Sequence, residues 1–169
     1  AEQIEVDKLS SHIEVSATRA QVDYSWGEFK HNATEVLATY FDAHIYMANW
    51  GARELLFRFP IGAVDREQLL LYCTGEEVDL RQINGYDVLS ITLGQDGEED
   101  WEGWIESEGI LSSLIPLRTA IMQGDYRSVY LAWLYVATQI TEEFEPYDDD
   151  EYEEEDGNEV LERPVPAGL

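Results

Sequence analysis

Apolar and polar positions along this 169-residue chain follow two periods, and the switch between them marks out the elements. Residues 1–20 are polar and weakly patterned, a short helix or loop. Gln21–Trp26 (Gln-Val-Asp-Tyr-Ser-Trp) alternates with period two, as a half-buried strand does. Asn32-Ala-Thr-Glu35 has capping-box spacing and opens a predicted helix over about Ala33–Ala48. Its apolar stripe is Leu37, Phe41, Ile45 and Ala48, joined by Tyr40 and His44, with Asn49-Trp-Gly51 as the stop. Arg53–Phe59 reads as a strand ended by Pro60 and Gly62, and Asp65-Arg-Glu-Gln68 starts a short helix closing at Gly75.

The strongest local signal comes next. Val78–Ile83 and Tyr86–Leu93 flank Asn84-Gly85, and Asn-Gly between strand-like runs predicts a tight hairpin because both turn residues need positive φ. Leu89, Ile91 and Leu93 share one face of the second strand, with Asp87, Ser90 and Thr92 opposite them only in part. After an acidic loop at Gly94–Gly103 the period becomes helical from Ile110 to Thr141. Gly124-Asp125 divides this stretch into a helix over about Ser113–Gln123, with Pro116 in its first turn, and a second capped by Asp125 and reaching about Thr141. The middle of that second helix, Val129–Ala137, is apolar nearly all round, so it is a central core helix or else turns its other side to a second copy in a homodimer.

Helices and strands interleave, but the firmest connection is antiparallel. The expected fold is therefore α+β, a small, mostly antiparallel sheet of three or four strands packed with helices and finished by a C-terminal helical hairpin. The predicted organisation is one α+β domain over residues 1–141, an acidic disordered linker at 142–159, and an apolar, Pro-rich end at 160–169 that docks back.

Charge sharpens that division. The chain carries 36 Asp and Glu against 10 Lys and Arg, a net charge of −26. Twelve of the acids lie in 142–159 and seven in 96–108, so the rest of the chain is near −7. A self-repelling segment cannot bury enough apolar surface to offset its chain entropy, which makes 142–159 a solvated tether. The potential repels nucleic acid and anionic lipid and attracts basic proteins. One cysteine, Cys73, precludes an intrachain disulfide and argues against an oxidising compartment. No apolar run approaches the roughly 20 residues of a membrane span, and the first residues lack the basic and apolar regions of a signal peptide. A cytoplasmic setting is the expectation. Without an initiator Met, the chain reads as processed or as a fragment.

Candidate chemistry is sparse. His44 stands on the predicted helix face one turn after Tyr40, the ordinary place of a satisfied core histidine, and no partner at the right spacing completes a zinc helix. An enzyme reading would build a pocket from Asp42, His44, Tyr46 and Cys73, with His44 orienting the Cys73 thiol. The carboxylate clusters fail the calcium-loop rule: counting back from Gly157 puts Tyr152 at position 1, and counting from Asp96 puts Trp101 where Gly is required. No phosphate-binding loop, dinucleotide fingerprint or nucleophile elbow occurs, so no cofactor and no metal is predicted. Arg53, Arg58, Arg118 and Arg127 read as structural ion-pair partners for Glu54, Asp65 or Asp125. Trp101 and Trp104, set in acidic sequence, either fold back onto the core or serve as aromatic anchors of a protein interface, to which Asp148, Asp149 and Asp150 add a charged contact.

Four strings together carry a resemblance: Trp26-Gly-Glu-Phe29, Tyr40-Phe-Asp-Ala-His-Ile-Tyr-Met-Ala-Asn-Trp-Gly-Ala-Arg53, Gly124-Asp-Tyr-Arg-Ser-Val-Tyr-Leu-Ala-Trp-Leu134 and Pro164-Val-Pro-Ala-Gly-Leu169. On these the chain resembles a family of uncharacterised bacterial cytoplasmic proteins. The resemblance implies an added strand before this chain and a helix after it, and it carries over no activity or catalytic residue. The leading functional expectation is a non-enzymatic interaction module whose acidic surface engages a basic protein, in the manner of a nucleic-acid mimic.

Overall fold

The hairpin predicted at Asn84-Gly85 organises the molecule. In a computed structural model, which describes residues 2–16, 19–22, 30–47, 53–93 and 110–143, both turn residues take positive φ, 51° and 81°. They join β5 (Val78–Ile83) to β6 (Tyr86–Leu93), and Ile83 faces Tyr86 across the turn. A bulky or β-branched residue at either turn position would pay a steric cost that Asn and Gly avoid. Two more strands, β3 (Ala43–Met47) and β4 (Arg53–Pro60), complete an antiparallel sheet in the order β3-β4-β6-β5. A two-stranded sheet of β1 (Ile13–Val15) and β2 (Ala20–Val22) stands apart, beside the short helix α1 (Glu2–Asp7). The fold is α+β, as the residue pattern predicts.

Register separates the sheet into two faces. Ala43, Phe57, Leu89 and Leu80 form one cross-strand row, and His44, Leu56, Ser90 and Asp79 form the next, pointing the other way. The first face meets α3 (Arg66–Leu70), α4 (Ile110–Met122) and α5 (Arg127–Glu143). There Phe57, Phe59, Leu69, Tyr72, Leu89, Ile121, Val129 and Trp133 form the main core. The second face meets α2 (Ala33–Tyr40) alone among the described helices, through a small cluster of Leu37, Ala38, Leu56 and Val88.

Several expected boundaries are corrected. Asn32 does cap α2, accepting from the Glu35 amide at 3.1 Å, but the helix stops at Tyr40 instead of Ala48. Phe41 turns extended at φ −129°, and Ala43–Met47, with His44 and Ile45, becomes an edge strand paired with β4. Pairing and burial decide this: Ile and Tyr suit a pleated surface, and five cross-strand partners on β4 outweigh continuation of an isolated apolar helix. Helix α3 ends at Leu70, four residues after its start; tight turns from Tyr72 to Leu69 and Cys73 to Leu70 follow before Gly75. Helix α4 begins at Ile110, so Pro116 lies inside it, on the exposed side, and removes one backbone bond there.

Gly124 ends α4 at φ 84°. Its amide donates to Ile121 and that of Asp125 to Ala120, the paired bonds that close a helix through a left-handed residue. Asp87 shares the Leu89 face, so it sits in the core; it is 2% exposed and accepts from Arg66 at 2.7 Å. Among the described residues, helix α5 contributes one side to the core. Val129, Ala132, Trp133 and Val136 are buried, whereas Leu131 is 62% exposed. The strand expected over Gln21–Trp26 is seen as far as Val22, and α5 runs to Glu143, two residues into the linker expected at 142–159; the remainder of that strand, the Asn49-Trp-Gly51 stop, the rest of the linker and the end at 160–169 lie outside the described residues.

Candidate functional site

The candidate enzyme pocket is built around β3. Asp42 precedes the strand, and His44 and Tyr46 project to the α2 side of the sheet, by the alternation that sets Ala43 and Ile45 toward the core. Cys73 packs against the main core on the opposite side, with its thiol 3.6 Å from the Leu69 carbonyl. Thus the structure brings Asp42, His44 and Tyr46 to one edge and puts the sheet between them and Cys73. A nucleophile and its base must lie within hydrogen-bond reach, which opposite faces of a sheet do not allow. Burial, with a smaller contribution from Asp79, pushes the Cys73 thiol up to about 11, so it stays protonated at neutral pH. Burial pushes the His44 imidazole down, and its Nε2 is enclosed with no hydrogen-bond partner among the described residues.

Asp42 serves structure. It accepts from Arg58 at 3.1 Å and from Arg118 at 3.4 Å, joining β4 to α4 at the sheet edge. Both guanidiniums are further held: Arg58 donates to the Ala38 carbonyl and lies over the Tyr86 ring, and Arg118 donates to the Arg58 carbonyl. Arg127 pairs with Asp125 as expected, while Arg58 finds Asp42 in place of Glu54 or Asp65.

What the α2 side does present is an open groove of about 200 Å³. Its floor is Val88, Ser90 and Thr92 of β6, whose even positions alternate away from Leu89 and Ile91. Glu54 of β4 stands on one side, Asp79 and Arg81 of β5 with Glu76 on the other, and Thr34 of α2 at the margin. Three carboxylates therefore face one guanidinium, and Arg81 is already paired with Asp79. Burial pushes the Glu54 carboxyl above its ordinary range, so a cation entering the groove would recover part of that desolvation cost. Among the described residues no group of three or more His, Cys, Asp and Glu side chains is arranged to hold a metal ion. Spread carboxylates with hydroxyls between them suit cationic side chains on a separate surface.

The sequence reading did not single out these groove residues. Its available signal was the alternation in Tyr86–Leu93, which predicts that Ser90 and Thr92 share a face opposite Leu89 and Ile91. Trp101, Trp104, Asp148, Asp149 and Asp150 lie outside the described residues. No described helix is long and apolar enough to cross a membrane. Set against protein-family profiles, curated proteins and solved structures, the chain finds no match.

Proposed function

We propose that this protein is a non-enzymatic interaction module that binds a basic protein surface, and that the groove over β6 is one of its contact points. The carrying observation is the groove's three carboxylates, Glu54, Glu76 and Asp79, against the single Arg81, on the sheet face that α2 covers in part among the described residues, in a chain with net charge −26. A potential of that sign attracts Lys and Arg clusters and raises their encounter rate. The partner that fits is a surface built to hold nucleic-acid phosphates, for which the acidic chain substitutes as a competitor. A reducing, cytoplasmic setting accords with the lone cysteine.

The test titrates a Lys- and Arg-rich peptide against the chain. Affinity should fall steeply as salt rises, and Glu54→Gln with Asp79→Asn should weaken binding about tenfold, as for two partly exposed charge contacts. In a second arm, the chain should displace DNA from a basic DNA-binding protein. Salt-independent binding, or a double variant that binds like the native chain, would overturn the reading.

A further inference from the structure

Helix α5 has two apolar sides, and among the described residues one of them packs into the core. Val129, Ala132, Trp133 and Val136 repeat at i, i+3, i+4 and i+7 and are buried. Leu131, Leu134, Tyr135 and Thr138 repeat with the same spacing on the opposite side, and the first three are 62%, 37% and 41% exposed. Residues 128–141 contain no charged side chain, in a chain of which 27% is charged. Helix α4 packs into the same core cluster and exposes Ile115 and Met122 together with Ser112, Ser113 and Thr119, so the uncharged apolar stripe belongs to α5.

We propose that this face is the interface of a homodimer in which α5 packs antiparallel against α5 of a second copy. Charge selects this occupant and its direction. The helix is basic where it begins, at Arg127, and acidic where it ends, at Glu142 and Glu143. The outward stripe is centred between Leu134 and Tyr135, close to the helix midpoint at residue 135. A two-fold axis there sets Leu134 against the partner's Tyr135 and Leu131 against the partner's Thr138. The same operation brings the Arg127 end of one helix beside the Glu142 end of the other, and opposes the two helix dipoles. Arg127 is 67% exposed while it holds Asp125, so it remains available to a second carboxylate. The 17 residues of α5 give a contact about 25 Å long. A basic partner has no comparable claim on an uncharged surface, because its attraction is to carboxylates.

Sedimentation equilibrium of the full chain tests the proposal. Each copy carries −26, so the dimer should tighten as salt screens the net repulsion, whereas binding of a basic peptide weakens under the same change. These opposite responses keep failure here distinct from failure of the basic-partner reading. Leu134→Glu, an outward substitution that leaves the core intact, should weaken the dimer roughly thirtyfold or more with the circular dichroism spectrum unchanged. Arg127→Glu should weaken it, and adding Glu142→Arg and Glu143→Arg to that variant should restore it. A native chain that sediments at 19.4 kDa up to about 1 mM in high salt overturns the proposal. So does a Leu134→Glu chain that self-associates as the native one does, or a charge swap that restores nothing.

Discussion

The two faces of the four-stranded sheet are built from alternate residues of the same strands, yet they do different work. The face under α3, α4 and α5 buries Phe57, Phe59, Val78, Leu80, Leu89 and Ile91. The other buries Leu56 and Val88 beneath Leu37 and Ala38 of α2, and presents Glu54, Asp79, Ser90 and Thr92 in an open groove. Stability is concentrated on one side and recognisable chemistry on the other. Period-two alternation permits this division, because a substitution at one position reaches one face only.

That contrast can be broken from the core side first. Phe59→Ala removes a fully buried ring and should cost about 3–5 kcal/mol in denaturant unfolding, close to the whole stability of a marginal domain. A substitution in the groove such as Ser90→Ala should stay within about 0.5 kcal/mol. Comparable losses at the two sites would show that the faces are not energetically distinct.

A somewhat smaller effect tests the buried carboxylate on the core face. Arg66→Met strands the Asp87 carboxylate, which is 3% exposed, and should cost about 3 kcal/mol. Replacing both partners, with Asp87→Leu alongside Arg66→Met, should return much of that loss, since a buried pair exchanged for apolar groups is near neutral. A double variant as unstable as Arg66→Met alone would place the value of the pair in something other than neutralising a buried charge.

The smallest effect is a pH slope on the groove side. Burial lowers the His44 pKa in the folded chain below its ordinary 6.5. As pH falls through 6.5 the unfolded chain takes up a proton that the folded chain refuses, so stability declines; above 6.5 the contribution is fully present. His44→Phe should flatten that decline when unfolding midpoints are compared between pH 7.5 and roughly pH 5. An unchanged slope would assign it to other groups.

Much of this architecture was legible in the residues. The hairpin at Asn84-Gly85, the caps at Asn32 and Asp65 and the break at Gly124 follow from local backbone chemistry, and each is found at its expected position. The stretch from Phe41 to Met47 was not, because an apolar Phe-Asp-Ala-His-Ile-Tyr-Met run satisfies a helix stripe nearly as well as a strand. The pairing of His44 with Cys73 failed for the same reason. With His44 on a strand its side chain is committed to the α2 face, which no spacing along the chain reveals.

The sequence by itself determined where the backbone must turn, which segments alternate, where negative charge accumulates and that α5 is apolar on both sides. Those properties depend on neighbours a few residues away, through dihedral preference, hydrogen bonding at helix ends and side-chain period. Tertiary structure alone decided which face of each strand met the helices. It also decided that Glu54 would share one groove with Glu76 and Asp79, more than twenty residues further along the chain. Such outcomes depend on long-range pairing, in which β4 joins β6 across an intervening helix and strand, and local preference carries no record of it.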